Sequence, residues 1–196
     1  MSGTVESERE WGARDEGGKD WRFDGVGRGI IAFAMSDVAP QVLFVCTGNT
    51  CRSPMAEGLF RGAAAGRNGP GVGSAGIAAH GGGPASPETI EILRQRGLDL
   101  DGFRSRMVDE AIVLEATHVF CMTRSQLKAL ETLYPEAREK LYLVCDFAQI
   151  DGEVGRDVPD PIGGGRGAYE GVATCLEKAM AGIMGFLQAE QKQEAE

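Results

Sequence analysis

The sequence predicts an α/β domain of three layers, a four-stranded parallel sheet with helices on both faces and an anion-binding loop after the first strand. Three observations lead there. From Gln41 onward short apolar runs alternate with longer amphipathic segments, the pattern of parallel strands joined by helical crossovers. The first apolar run breaks at Cys46 into a polar loop that opens a helix at Ser53-Pro54, and in such sheets ligands gather at this carboxyl edge. The chain has 196 residues, 42% of them hydrophobic, enough for one core without staples.

Residues 1–38 stand apart. They mix both charge signs with glycines and show no sustained period, so a disordered N-terminal extension is expected there. Its apolar piece, Gly29 to Met35, is too short to span a membrane and follows acidic residues where a signal peptide needs basic ones. Met35 is a candidate internal start. The folded domain is expected over 39–190, with a frayed tail at 191–196.

Within the domain, Gln41–Val45 reads as a buried strand. Ser53 reads as N-cap and Pro54 as first residue of a helix to about Gly66, with Met55, Leu59 and Ala63 on one face. A strand near Val72–Ala75 leads into a glycine-rich loop, Gly76 to Ala85, and Ser86-Pro87-Glu88 starts a helix that ends at Gly97. Asp109 caps a short helix through Ala116, and Thr117–Met122 is the third strand. Thr123-Arg124-Ser125-Gln126 is a capping box opening a helix toward Tyr134-Pro135. Leu141–Val144 is the fourth strand, and the last helix is expected from about Ala168 to Leu187.

The formal net charge is −9 without a basic cluster, which argues against nucleic acid and anionic membrane surfaces as partners. Five cysteines at irregular spacing, with no C-x2-C pairs for zinc, fit a reducing, cytoplasmic setting.

Five residues separate Cys46 from Arg52. That spacing lets the intervening N–H groups curl around one tetrahedral oxyanion at a helix N-terminus, which makes the stretch a candidate phosphate-binding loop. Arg52 adds a planar fork of donors matched to two phosphate oxygens. The sulfur of Cys46 sits at the centre of the cradle, where donors and helix dipole favour the thiolate, and the Ser53 hydroxyl is its expected partner. A thiolate below phosphorus is an in-line nucleophile, so the expected chemistry is phosphoryl transfer through a phosphocysteine, needing no metal and no cofactor.

An acid must protonate the leaving group and then activate water. Asp160, between Pro159 and Pro161 and ahead of Gly163 to Gly165, is the first candidate and Asp157 the second. Cys51 shares the loop with Cys46. Peroxide would oxidise the Cys46 thiolate to a sulfenic acid that Cys51 captures as a disulfide, and a thiol reductant would reverse it. Cys121, Cys145 and Cys175 read as core, His80 and His118 as structural or solvated, and Tyr169 as lining the cleft or packing under the acid loop.

Val42–Phe60 with Asp160-Pro161 resembles the low-molecular-weight protein tyrosine phosphatases, over roughly Gln41–Leu187. The resemblance implies Cys46 as nucleophile, Arg52 as phosphate clamp, Asp160 as general acid, Ser53 as thiolate partner and Asn49 as loop brace. It implies that Thr47, Gly48, Asn49, Thr50, Cys51, Arg52 and Ser53 form the phosphate cradle, and it sets Ser74-Ala75-Gly76 beside the cleft. Where the family often has a histidine that braces the asparagine, this chain has Phe103.

The run Val45–Glu57 with Asp160-Pro161-Ile162-Gly163-Gly164 is similar to bacterial protein arginine phosphatases. In those, the threonine matching Thr50 favours phosphoarginine, and the carboxylate matching Asp160 can meet its guanidinium. Tyrosine phosphatases of this type usually carry an apolar branched residue at Thr50, and aromatics where this chain has Ile162 and Gly163. Thr50 and Ile162 are therefore the specificity candidates; phosphoarginine in phosphorylated proteins is the first reading and phosphotyrosine the second. Thioredoxin-coupled arsenate reductases, a third resemblance, need a second closely spaced cysteine pair. Cys121 has no cysteine in the ten residues after it, and Cys145 and Cys175 are far apart in sequence.

Overall fold

Trp21, Phe23 and Ile30 favour extended backbone, and all three fall in strands of the computed structural model. The structure describes residues 12–14, 20–23, 29–30, 41–65, 70–148 and 155–194. It divides into two units, Met1–Val38 and Ala39–Glu196. In the first, β1 (Gly12–Arg14), β2 (Asp20–Phe23) and β3 (Gly29–Ile30) pair antiparallel in that order, with Ala13 opposite Trp21 and Arg22 opposite Ile30. The stretch expected as a disordered extension thus contains three short paired strands. The remainder of it, Met35 included, lies outside the described residues.

In the second unit the elements run β4 (Gln41–Cys46), α1 (Arg52–Ala64), β5 (Gly71–Gly76), α2 (Pro87–Gln95), α3 (Glu110–Glu115), β6 (His118–Cys121), α4 (Arg124–Leu133), β7 (Leu141–Leu143) and α5 (Gly165–Glu194). The four strands are parallel in the order β5-β4-β6-β7, so the chain winds outward from β4 in both directions. Side chains alternate across β4. Val42, Phe44 and Cys46 join α1 and α5 in one core, while Leu43 and Val45 join Val113 of α3 and Leu130 of α4 in the other. This is the expected three-layer sandwich, with both faces of the sheet covered.

Two expectations need correction at the last helix. It starts at Gly165, three residues before Ala168, because a turn closed by Gly164 N–H on the Pro161 carbonyl (3.0 Å), with Gly163 at φ +78°, delivers the chain directly into it. It also continues through Glu194, beyond its expected end at Leu187. The end is tied down: Leu187 is buried, and Glu190 pairs with Nε2 of His118 at 2.5 Å. Ala195 and Glu196 lie outside the described residues. His118, expected as a structural strand residue, packs edge to face on Phe186 and stacks with Tyr142. No helix among the described residues is long and apolar enough to cross a membrane.

Candidate active site

β4 carries Cys46 to the carboxyl edge of the sheet, opposite Gly76 of β5. The chain then turns through Thr47–Cys51 and enters α1. The turn needs one left-handed residue, and Asn49 supplies it at φ +52°, a conformation asparagine tolerates better than most side chains. This tight turn moves the helix start earlier than the sequence suggests. Cys51, not Ser53, is the N-cap, and it makes no side-chain cap bond. Ser53 falls inside the first turn, where its hydroxyl reaches the Cys46 sulfur at 3.0 Å instead of capping. The first-turn N–H groups are thus left to the positive end of the helix, a place suited to an anion.

The proton positions around the sulfur follow from one end of a hydrogen-bond chain. The buried carboxylate of Glu57 is held by Arg61 (2.6 Å) and can only accept, so the Ser74 hydroxyl donates to it (2.7 Å). Ser74 then accepts from Nδ2 of Asn49 (2.8 Å), and the second amide proton goes to Ser53 Oγ (3.0 Å). Ser53 is left to donate its one proton, with Cys46 Sγ at 3.0 Å and the Ala75 carbonyl at 3.3 Å as the two acceptors in reach. The Asn49 amide cannot be flipped, because its Oδ1 accepts the Arg106 N–H at 2.9 Å. Its own backbone N–H also donates to Cys46 Sγ (3.2 Å). The Asn49 N–H, joined by the Ser53 hydroxyl when its proton turns from the Ala75 carbonyl to the sulfur, stabilises negative charge there. The bracing expected of a histidine at Phe103 is supplied here by Ser74, Ser53 and the Arg106 backbone.

Arg52 is only 6% exposed. Its Nη2 donates to Asp160 Oδ2 at 2.9 Å, and its Nη1 reaches the Val158 carbonyl at 3.5 Å. The cleft therefore brings Asp160 and Arg52 together, with Asp160 also accepting the Ile162 N–H (3.3 Å) and half its side chain open to solvent. Ile162 is 69% exposed on the same loop. Asp157 is engaged elsewhere, accepting the Arg124 N–H at 2.9 Å.

Other contacts fix the outer walls. Thr50 offers its carbonyl to the Ser86 N–H (2.8 Å) and its hydroxyl lies 3.5 Å from Cys51 Sγ. Gln126 completes the expected capping box with Thr123, and its Nε2 donates to Thr47 Oγ1 at 3.0 Å. Tyr169 lies buried behind the loop, not along the cleft, with its hydroxyl 3.2 Å from Cys51 Sγ. Burial first, then the Cys51 contact, pushes the Tyr169 phenol up to about 12. Cys121 is core as expected, its thiol pushed up to about 12 chiefly by burial. Cys145 and Cys175, distant in sequence, meet in the core with sulfurs 4.0 Å apart. The Cys145 thiol is held well above the ordinary range by its contact with Cys175 and then by burial. Among the described residues no three His, Cys, Asp or Glu side chains converge as a metal site.

Gly76 closes the cradle from β5. A Cβ there would stand 2.5 Å from the Thr47 carbonyl oxygen and 2.9 Å from the Asn49 nitrogen. Gly76→Ala is expected to destabilise the fold by about 1–3 kcal/mol, read as a lower urea midpoint at unchanged slope.

Glu57, Arg106 and the Thr47 contact of Gln126 escaped sequence reading. Glu57 lies four residues from both Ser53 and Arg61, spacing that marks a shared helix face, but nothing local announces Ser74 opposite it.

Comparison with known proteins gives one answer on kinship and two on substrate. Residues 41–194 match the family described as low molecular weight phosphotyrosine protein phosphatase. A protein-arginine-phosphatase of Geobacillus stearothermophilus is 35% identical over 153 residues, 77% of this chain and 98% of that one. A low molecular weight protein-tyrosine-phosphatase of Streptomyces coelicolor is 37% identical over 164 residues, 78% of this chain and 94% of that one. The solved arginine phosphatase YwlE of Geobacillus stearothermophilus superposes with a TM-score of 0.70 at 34% identity, covering 79% of this chain and 96% of that one.

Proposed function

The chain belongs to the low-molecular-weight phosphotyrosine protein phosphatase family, and from that premise we propose that it hydrolyses phosphoarginine in proteins through a phosphocysteine intermediate. The observation that carries the chemistry is the Cys46 sulfur, which accepts the Asn49 N–H and lies 3.0 Å from the Ser53 hydroxyl, at the root of a loop whose far end presents Arg52. In the first step the substrate phosphoryl group occupies the loop and Arg52 clamps two of its oxygens. The thiolate attacks phosphorus, the S–P bond forms, and the P–N bond breaks as Asp160 gives its proton to the departing guanidino nitrogen. In the second step the Asp160 carboxylate takes a proton from water, the water oxygen attacks phosphorus, and the S–P bond breaks to return the thiolate and release phosphate. The N–H groups of Thr47 to Ser53, other than that of Asn49, which faces the sulfur, stabilise the equatorial oxygens in both.

The choice of phosphoarginine rests on Thr50 and on the half-exposed Asp160 carboxylate, which can meet a guanidinium; Ile162 supplies no ring to stack on a phenyl group. Phosphotyrosine is the second reading, favoured by the tyrosine phosphatase relative. We also propose that phosphorylated proteins are its partners, that it works in a reducing, cytoplasmic setting, and that Cys51 captures a peroxide-generated Cys46 sulfenic acid as a disulfide with loss of water. The reading is tested by kcat/KM on one peptide carrying phosphoarginine or phosphotyrosine, with Cys46→Ser as blank. The wild type is expected to prefer phosphoarginine, and Thr50→Ile to shift the ratio toward phosphotyrosine by roughly tenfold or more. A wild type that prefers phosphotyrosine would overturn the assignment to phosphoarginine and leave the mechanism intact.

A further inference from the structure

Asp160 meets Arg52 and the Ile162 N–H from a segment whose described side chains, 155–164, are largely exposed, so the segment itself needs an anchor. Three residues earlier the segment is pinned. The Val158 N–H donates to the Met122 carbonyl at 2.8 Å, and the Val158 side chain is buried. The Asp157 carboxylate accepts the Arg124 N–H at 2.9 Å and lies 3.4 Å from the Arg124 guanidinium. Arg124 is the first residue of α4, so its N–H has no intrahelical acceptor and faces the positive end of the helix, where a carboxylate is favoured. The same first turn holds the opposite wall, through Gln126 Nε2 on Thr47 Oγ1.

We propose that Asp157 is a positioning residue: its bond to the Arg124 N–H registers the acid loop on the turn that also holds Thr47, and so sets Asp160 against Arg52 and the phosphate loop. The inference rests on the proposed role of Asp160 as general acid. Prolines on both sides of Asp160 transmit the anchor, because their fixed φ leaves few ways for the carboxylate to drift once Asp157 and Val158 are tied. Asp157 touches no reacting atom in this scheme.

A positioning role differs from a merely structural one in how it depends on the leaving group. Aryl phosphates whose phenols range from good to poor leaving groups give kcat/KM values that report the first chemical step. With a well-placed acid the dependence on the phenol is shallow, and Asp160→Asn is expected to steepen it. Asp157→Ala removes the acceptor. Arg124→Pro removes the donor from the other side, at a first helical position where proline is well tolerated. Both are expected to lower kcat/KM roughly tenfold on the poorest leaving groups and by less than about threefold on the best. Asp157→Asn keeps an acceptor oxygen and is expected to retain the wild-type dependence. A uniform loss across all esters in the Ala and Pro variants, or a wild-type dependence in both, would overturn the inference. A dependence that Asp160→Asn leaves unchanged would instead overturn the acid assignment beneath it, and activity surviving in Cys46→Ser would overturn the nucleophile.

Discussion

Cys46→Ser is expected to remove turnover by about four orders of magnitude or more while phosphate affinity stays within about tenfold. The reason lies in the protons around residue 46. The Asn49 N–H donates to the sulfur, and the Ser53 hydroxyl, shared between the sulfur and the Ala75 carbonyl, lies 3.0 Å from it, an arrangement suited to an atom that carries negative charge. A serine hydroxyl there finds no base to take its proton, so its oxygen stays a weak nucleophile. The cradle and Arg52 are untouched, so the anion still binds. Initial rates with a phosphorylated peptide, beside calorimetric titration with inorganic phosphate, measure the two quantities separately. Retained turnover would rule out the phosphocysteine.

Arg52→Lys is the second large effect, a loss of about 10²–10³ in kcat/KM despite the retained charge. The guanidinium is buried and spans two acceptors, the Asp160 carboxylate and the Val158 carbonyl. An ammonium is a point charge on a flexible stem. It cannot hold both partners and two equatorial phosphate oxygens in one plane, and it leaves Asp160 without its fixed counterpart. Steady-state kinetics check this; a loss below tenfold would show that charge, not the fork, does the binding.

What could be read from the sequence was what is local in it. The Cys46 to Arg52 loop is contiguous, and a capping box is complete within four residues, so Thr123 and Gln126 were found in register. Short apolar runs placed the parallel strands, β4 and β6 most clearly because they are buried on both faces. The failures are of two physical kinds. The left-handed Asn49 turns the chain sooner than propensity can tell, and the N-cap moved from Ser53 to Cys51. Contacts made through space were invisible: Ser74 lies 17 residues from Glu57, and Cys145 lies 30 from Cys175. The end of α5 was misjudged for the same reason, since Glu190 is held by His118, 72 residues away.

The hydrogen-bond chain from Glu57 to Cys46 has a consequence for descent. Every link from Glu57 to Ser53 has a fixed donor and a fixed acceptor, so no member of that stretch can be exchanged alone without leaving a neighbour facing the wrong kind of group. A lineage that lost the Ser74 hydroxyl would strand the Glu57 carboxylate on one side and an Asn49 proton on the other. Glu57, Ser74, Asn49 and Ser53 are therefore expected to be inherited as a block. Changes at one should be found only on backgrounds where its neighbour has already changed, even though the four positions are spread over a helix, a strand and a loop.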